Sequence, residues 1–437
     1  MLAVVSRRIR LLKKSEAIKL KEFCTARNLN KTPNDVELLG EKYVTDEWTN
    51  VTPKIIEKLG RTLHTTKYHP LSHVRQRIVN YFYGNYRNKC GNPLFSVFDN
   101  QKPVVSVHQN FDSLLIPGDH PSRSKTDCYY VNRDTLLRAH MTAHQSELIS
   151  MGLNNFLVIG DVYRRDEIDA THYPVFHQVD AVRLCNNDEI FDSVNDPEGL
   201  ELFENRGKES KEKQAVHSLE ATKIMEHQLK RDLVGLAQVL FGKDVKCRWV
   251  DQYFPFTHPS WELEVFYNNQ WLEVLGCGIM RQEILKNCGV NDRMGWAFGL
   301  GLERLAMCLY KIPDIRLFSS SDSGFLNQFK FDDPNTPVTY KPISVYPQCA
   351  NDLSFWLPEN SEFSPNDFYD LARDIGGDII EQISLIDNFT HPKTNKTSHC
   401  YRIVYRHMER TLTQKEVTEI HSEISRNAAK LLNVTVR

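Results

Sequence analysis

The sequence predicts an α+β protein built from two domains. In residues 46–330, strand-like runs rich in aromatic residues alternate with helical runs. After residue 345 the pattern runs strand, helix, strand, strand, helix, strand, which is the order of a ferredoxin-like sandwich. A turn-rich segment from Asp332 to Pro337 separates the two regions. We therefore predict an N-terminal extension over 1–45, a large domain over 46–330, a linker over 331–344 and a small domain over 345–437.

The composition is that of an ordinary soluble globular chain. Hydrophobic residues make up 41% of the 437 residues and charged residues 25%, with a net charge of −2. No apolar run approaches the roughly 20 residues that a membrane span needs, so we expect no membrane partner. The ten cysteines form no C-x-x-C pair, which argues against a zinc ribbon and favours a reducing compartment.

The first fifteen residues differ from the rest of the chain. They contain Arg7, Arg8, Arg10, Lys13 and Lys14 among apolar residues and have no acid. A transit peptide that directs a protein into an organelle has this amphipathic, arginine-rich and acid-poor composition. A loose basic arm that touches RNA would look similar.

Helical and extended segments follow one another along the large domain. A helix is expected to open at His69-Pro70, since proline is accepted in a first turn. Strands are expected over 103–107 and 156–159, a charged surface loop over 205–213, and a long helix over 214–242.

The run from Gly295 to Met307 carries the strongest local signal. Ala297, Gly299 and Gly301 recur at period two, so on a strand they leave one face almost without side chains. A flat ligand could lie close to such a face. Arg304 follows in the first turn of a helix, where the helix dipole does not favour a cation. This placement indicates an anionic ligand such as phosphate, although a tightly packed strand–helix joint would give the same pattern.

A polar hairpin is expected over residues 160–180. Arg164 ends its first strand and a highly charged loop follows. Gln178 and Asp180 share one face of the returning strand. An amide beside a carboxylate suits an ammonium group and its neighbouring carbonyl, but a hairpin with a polar outer face is the commoner use of this pattern.

Three weaker signals complete the large domain. Phe254 and Phe256 flank a proline in a segment expected to be extended, where two rings could wall an aromatic pocket or simply pack in the core. Glu273 lies in an apolar strand expected to end in a glycine turn at 276–278, and it faces outwards or binds a cation. His140 and His144 have the spacing of a zinc helix, but the glutamate of that motif is missing.

Basic residues concentrate in one stretch of the small domain. Five lie between positions 391 and 410 against a single acid, Glu409. They are Lys393, Lys396, Arg402, Arg406 and Arg410. This density indicates an RNA-facing patch or an ordinary charged surface.

Together these segments resemble the class II aminoacyl-tRNA synthetases. Tyr163-Arg-Arg-Asp166 is similar to motif 2 of that class, Gly299–Arg304 is similar to motif 3, and the helix at Pro70 stands where motif 1 would be. Phe254–Ser260 and Phe176-His-Gln178 resemble strings of the phenylalanyl-tRNA synthetase family. The small domain resembles the anticodon-binding domain of that family, and its fusion to a catalytic domain resembles the mitochondrial branch, which is monomeric.

The resemblance implies a class II antiparallel sheet flanked by helices, with ATP, Mg²⁺, L-phenylalanine and tRNA-Phe as ligands in the mitochondrial matrix. It implies that Arg164 and Arg304 hold the α- and γ-phosphates of ATP and are catalytic. Glu273 would lie near Mg²⁺, and Gly299 would lie beneath the adenine. The remaining implied substrate contacts are His140, Thr142, Ala143, His144, Gln145, Thr171, His172, Tyr173, Gln178, Val179, Asp180, Phe254, Phe256, Ala297 and Phe298.

Some positions depart from the family pattern. Aspartate stands at 166 and 180, where the family has or often has glutamate, and Met141 interrupts a usual His-Thr-Ser string. A catalytically inactive relative that binds RNA, or a ligase for another amino acid, would keep the same fold. Retention of both arginines favours an active enzyme, and the Phe-Pro-Phe string beside the small Ala297 favours phenylalanine.

Overall fold

The computed structural model describes residues 35–192, 194, 198–342, 346–358 and 363–437. The basic segment at 1–15 and the predicted transit peptide lie outside the described residues. Within the described ranges, no helix is long and apolar enough to cross a membrane.

The large domain is organised around a seven-stranded sheet. Its order is β3-β7-β8-β12-β11-β10-β9, and every pairing is antiparallel except β3 with β7. A small sheet of order β4-β6-β5 and the hairpin β1–β2 lie beside it. The strands are β1 Asp35–Leu38, β2 Glu41–Val44, β3 Ser96–Phe98, β4 Val104–Ser106, β5 Tyr130–Asn132, β6 Thr135–Leu137, β7 Asn155–Tyr163, β8 Val175–Cys185, β9 Cys247–Phe254, β10 Thr257–Tyr267, β11 Gln270–Met280 and β12 Met294–Gly301.

Helices cover one face of the large sheet and form its main core with it. Leu71, Ile78 and Phe82 pack there against side chains such as Trp296 and Phe298. The helices of this domain are α1 Pro53–Ile56, α2 Pro70–Asn85, α3 Val107–Asn110, α4 Gln145–Ser150, α5 Asn187–Phe191, α6 Leu219–Phe241, α7 Gln282–Asn287, α8 Leu302–Tyr310 and α9 Ser323–Leu326. The antiparallel sheet with flanking helices confirms the predicted fold class.

The small domain is a ferredoxin-like sandwich, as predicted. Its four antiparallel strands have the order β14-β15-β13-β16, and two helices pack on one face of the sheet. Phe355, Phe368 and Tyr401 lie in this core. The elements are β13 Cys349–Trp356, α10 Pro365–Gly376, β14 Ile380–Thr390, β15 Thr397–Tyr405, α11 Gln414–Leu431 and β16 Thr435–Val436.

Several local predictions are wrong. Residues 35–44 form a hairpin rather than a tail, because Val36 and Leu38 alternate inwards and are buried. The segment 272–278 continues as strand β11, since Gly276 and Gly278 pair with β12 instead of turning. The long helix begins at Leu219, after Ser218 caps it through the backbone N–H of Ala221.

The segment predicted as a linker packs on the large domain. Phe331, Val338 and Tyr340 lie against its core, and the backbone N–H of Tyr340 donates to the carbonyl of Tyr310. Residues 331–342 are therefore tied to the large domain over most of their length.

The two domains meet at the predicted motif 2 loop. The backbone N–H of Ile383 donates to the carbonyl of Ile168, and Ile168 is buried in the small domain's core. Arg165 contacts Asp367 at 2.8 Å and Asp370 at 3.3 Å. Arg373 donates back to the carbonyl of Asp166. The loop is thus held by hydrogen bonds and ion pairs that cross between domains.

Candidate active site

The floor of the candidate site is the face of the large sheet opposite its main core. Gly276 on β11, Gly299 on β12 and Asp180 on β8 are cross-strand partners in one row. Gly278 and Ala297 form the neighbouring row. Since side chains on cross-strand partners share a face, four adjacent positions on two central strands carry no side chain larger than a methyl group. The sequence indicated this bare face on β12 alone.

Asp180 stands over this floor at one end. Its Oδ2 accepts a hydrogen bond of 2.5 Å from the Thr142 hydroxyl, and its side chain is buried. A Cβ at Gly299 would lie 2.9 Å from Asp180 Oδ1, so the carboxylate rests directly on the glycine. Burial raises the pKa of Asp180 to about 7, against the opposing effects of the Thr142 hydrogen bond and Arg164.

Three polar side chains implied in substrate binding have buried atoms without a hydrogen-bond partner. These atoms are both ring nitrogens of His140, Nε2 of Gln145 and Oε1 of Gln178. Burial, reinforced by the charge of Arg164, lowers the pKa of His140 to about 3, so its ring is neutral at physiological pH. A buried polar group without a partner costs about 1–3 kcal/mol. The cluster therefore fits a polar ligand that supplies both donors and acceptors.

An aromatic wall stands at the other end of the floor. Phe254 ends β9 and Phe256 lies in the turn before β10, so the predicted extended segment is a tight turn. The two rings stack with centroids 5.8 Å apart and planes 11° apart. Phe256 packs against the cluster that contains Ala143, and Ala297 lines the adjoining apolar cluster with Met141.

Two predicted wall residues face the other way. Phe298 alternates with Ala297, so its ring enters the main core and stacks on Phe82 with centroids 5.5 Å apart. Val179 alternates with Gln178 and Asp180 and is buried in the same core. The predictions that the side chains of Phe298 and Val179 contact substrate are wrong, because the period of two assigns them to the helix-covered face.

Arg164 is fixed at the rim of the site. Its Nε donates to the carbonyl of Ala139 at 2.8 Å, and its guanidinium lies 5.2 Å from the centroid of the Phe176 ring. Neither contact is a hydrogen bond from a terminal nitrogen of the guanidinium. A guanidinium held in this way suits the oxygens of a phosphate group.

Arg304 lies in the first turn of α8, as predicted, and is half-exposed. Its Nη1 lies 3.3 Å from Glu273 Oε2 and 3.2 Å from the Glu273 carbonyl oxygen. The pair places a cation and a carboxylate together where β11 and α8 meet. This combination suits a phosphate tail and the divalent ion that accompanies it.

The loop between β7 and β8 uses its predicted residues differently. Asp169 accepts from the backbone N–H groups of Thr171 and His172 and lies 2.8 Å from His172 Nδ1. Burial lowers the pKa of His172, but Asp169 reverses the balance and raises it. The Tyr173 hydroxyl contacts Asp378 at 2.8 Å in the domain interface, which corrects its assignment to the substrate pocket.

Two buried polar clusters behind the site were missed. Arg138 pairs with Asp161, which also accepts from the Tyr163 hydroxyl. His144 Nε2 lies 3.0 Å from Arg138 Nη1, so this predicted wall residue belongs to the supporting cluster. A single arginine inside the apolar run 136–139 was the sequence signal.

The second missed cluster joins the motif 2 and motif 3 elements. Glu303 Oε2 accepts from the backbone N–H of His177 at 2.8 Å, and His177 Nδ1 lies 2.7 Å from Glu303 Oε1. Both side chains are buried. The pair fixes the start of α8 against β8, and hence the position of Arg304 relative to Gln178.

The predicted RNA patch does not form one surface. The Arg406 guanidinium lies 3.1 Å from Glu381 of its own domain, and Arg316 of the large domain donates to the Arg406 carbonyl at 3.4 Å. Arg402 pairs with Asp352 and Arg410 pairs with Glu416, each through two nitrogens. Lys393 and Lys396 lie in the loop between β14 and β15.

Comparisons with known proteins agree with this geometry. Residues 54–194 and 214–329 match the tRNA synthetases class II core domain (F), and residues 344–437 match the ferredoxin-fold anticodon binding domain. The chain is 60% identical over 425 residues to a probable mitochondrial phenylalanine–tRNA ligase of Drosophila melanogaster, covering 93% of each chain.

Similar relatives occur in mammals and yeast. The mitochondrial phenylalanine–tRNA ligase of Mus musculus is 55% identical, with 92% of this chain and 89% of the relative covered. That of Saccharomyces cerevisiae is 38% identical, with 92% and 95% covered. The chain therefore belongs to the phenylalanine–tRNA ligase family of class II aminoacyl-tRNA synthetases.

Proposed function

We propose that this protein activates phenylalanine with ATP and transfers it to the terminal adenosine of tRNA-Phe for mitochondrial translation. One observation carries the proposal. An aromatic wall and a buried carboxylate stand at opposite ends of one bare floor, with a fixed guanidinium at its rim. An amino acid with an aromatic side chain and an ammonium group has matching features at its two ends.

In the first step the site would hold phenylalanine by these two ends. Asp180 would accept from the ammonium group with Gln178 beside it, and the orphaned polar atoms of His140 and Gln145 would gain partners. Phe254 and Phe256 would contact the ring. The far end of the substrate ring would lie near Ala297, in an apolar cluster whose described side chains offer no hydrogen-bond partner to a para-hydroxyl group. Tyrosine would therefore lose about 1–3 kcal/mol of binding free energy.

Arg164 would then stabilise the negative charge that develops at the α-phosphate as the phenylalanine carboxylate attacks it. Arg304 would hold the terminal phosphate, and His172, with its raised pKa, would add a third donor from the loop. The ATP purine would lie over Gly301, where an added Cβ would meet no atom within 4 Å, rather than over Gly299, which lies beneath Asp180. Phenylalanyl-adenylate forms and pyrophosphate leaves.

A magnesium ion would be held beside the phosphates by Glu273, the carboxylate paired with Arg304. Mg²⁺ commonly takes one or two protein carboxylates and completes its shell with phosphate oxygens and waters. The ion would neutralise part of the negative charge on the phosphates.

The small domain would bind tRNA through the sheet face that its helices leave uncovered. Trp356, Phe389 and His391 form a ring cluster there, with centroids 6.3–6.4 Å apart. The Arg437 guanidinium lies 4.8 Å from the centroid of the Trp356 ring. Unstacked RNA bases bind to aromatic faces of this kind. Lys393 and Lys396 at the adjacent loop would contact the RNA backbone, whereas Arg406 would not in this arrangement.

We infer that the protein works as a monomer in the mitochondrial matrix. The names of its relatives support the mitochondrion, and the matrix is where mitochondrial translation occurs. Sedimentation at micromolar concentration should give a single species at the mass of one chain.

The test of the proposed reaction is ATP–pyrophosphate exchange with each amino acid in turn. We expect exchange with phenylalanine and, for the reason given above, a much lower rate with tyrosine. Exchange with none of the amino acids would support an inactive RNA-binding relative. Exchange with a different one alone would reassign the substrate.

A further inference from the structure

Gly276 lies directly beneath the ring of Phe254. A Cβ built at position 276 would lie 2.9 Å from Phe254 Cζ and 3.2 Å from Cε2. Atoms in proteins do not approach a Cβ this closely, so any larger residue would displace the ring. The backbone φ of Gly276 lies outside the left-handed region, so conformation does not require glycine here. Space for the ring is the constraint.

Two sides of the Phe254 ring are occupied. The sheet blocks it from below, and Phe256 stacks beside it. Phe254 also ends β9, where its backbone pairs with Thr257 of β10. A methyl group at 276 would therefore lift the ring away from the sheet, over the floor, and towards the space assigned to the substrate.

We propose that Gly276 is a positioning residue that sets the depth of the phenylalanine pocket by letting the Phe254 ring rest on the sheet. This inference rests on the proposed substrate role of Phe254. The cross-strand partner Gly299 has the corresponding place at the polar end, where a Cβ would meet Asp180 instead. The two facing glycines therefore set the two ends of the amino-acid site.

The test is Gly276→Ala in ATP–pyrophosphate exchange. An aromatic contact is worth about 0.5–1.5 kcal/mol, so we expect the KM for phenylalanine to rise roughly 2- to 10-fold. The KM for ATP should stay unchanged, because ATP does not contact Phe254 in the proposed arrangement. Gly84→Ala is the matched control, since a Cβ on this helical glycine meets open space.

A double-mutant cycle separates positioning from general damage. In a Phe254→Ala background there is no ring to displace, so Gly276→Ala should leave the KM for phenylalanine unchanged. An equal rise in both backgrounds, or a parallel rise in the KM for ATP, would overturn the inference. If Phe254→Ala alone has no effect, the substrate role of Phe254 fails as well. If Phe254→Ala raises the KM for phenylalanine but Gly276→Ala does not, Phe254 keeps its substrate role and Gly276 has no positioning role.

Discussion

The seven-stranded and four-stranded sheets of this molecule use the faces opposite their main cores in different ways. In the large domain that face carries glycine at 276, 278 and 299, and Phe254, Thr257 and Asp180 lie over these glycines. In the small domain it carries Trp356 and Phe389, with Phe389 40% exposed. In the proposed arrangement, the glycines let these side chains lie close to the sheet around a small ligand, whereas the rings of the small sheet project to receive RNA bases. We propose that the first face serves catalysis and the second serves RNA recognition.

The substitution Arg164→Ala tests the proposed catalytic role of the large sheet and should have the largest effect. Removing one preorganised donor to developing charge typically costs about 10²- to 10³-fold in rate, so exchange with phenylalanine should fall by that amount. Arg133→Ala, which removes an exposed guanidinium that pairs with Glu47 and lies over the Trp48 ring, is the control and should retain full exchange. A fall of less than about fivefold would remove Arg164 from the chemistry.

The corresponding test of the small sheet is Trp356→Ala combined with Phe389→Ala. Stacking on an aromatic ring contributes about 1–3 kcal/mol per base, so the KM for tRNA should rise roughly 5- to 100-fold. Exchange, which needs no tRNA, should be unaffected. Were exchange to fall as much as aminoacylation, the division of labour between the two faces would be wrong.

The sequence alone identified some residues of the candidate site and missed others. Ala297, Gly299 and Arg304 were identified because they lie in one continuous run of sequence that forms a strand and then a helix. The spacing of small and apolar residues within that run is enough to predict both elements. Gly276 was not found, because its place beside Gly299 depends on a pairing between strands that sequence does not show. The same holds for Glu303, whose partner His177 lies 126 residues away.

The wrong predictions have similar causes. Phe298 was assigned to the pocket although its own alternation with Ala297 points it into the core. Tyr173 and Arg406 were assigned to ligands, but the Tyr173 hydroxyl contacts Asp378 across the domain interface and the Arg406 guanidinium pairs with Glu381 of its own domain. Polar residues that would suit a ligand can instead form contacts between distant segments of the chain. Sequence alone does not distinguish these two uses, because both employ the same residue types.

The size of the amino-acid pocket gives a third test. Ala297→Gly removes the methyl group that closes the apolar cluster at the floor. One methylene of space is worth about 1 kcal/mol or more, so activation of para-chlorophenylalanine relative to phenylalanine should improve by about tenfold. Unchanged activation of this analogue in exchange would remove Ala297 from the specificity of the site.

The smallest expected effect concerns pH. Burial raises the pKa of Asp180 to about 7, so the stability that its protonated form contributes is present at low pH and lost as the pH rises through 7. Ammonium binding needs the ionised form, and the KM for phenylalanine should therefore rise about fourfold between pH 8 and pH 6.5. Asp180→Asn should bind weakly without this slope. A wild-type KM that is flat over this range would exclude the carboxylate from substrate binding.

The contact between the motif 2 loop and the small domain has a consequence for evolution and for engineering. Asp367, Asp370 and Asp378 of the small domain pair with Arg165, Tyr129, Tyr173 and Lys58 of the large one. The loop that would cover ATP is thereby shaped by residues some 200 positions further along the chain. A chimera that takes its RNA-binding half from a distant relative would inherit a misplaced nucleotide loop unless those three acids came with it.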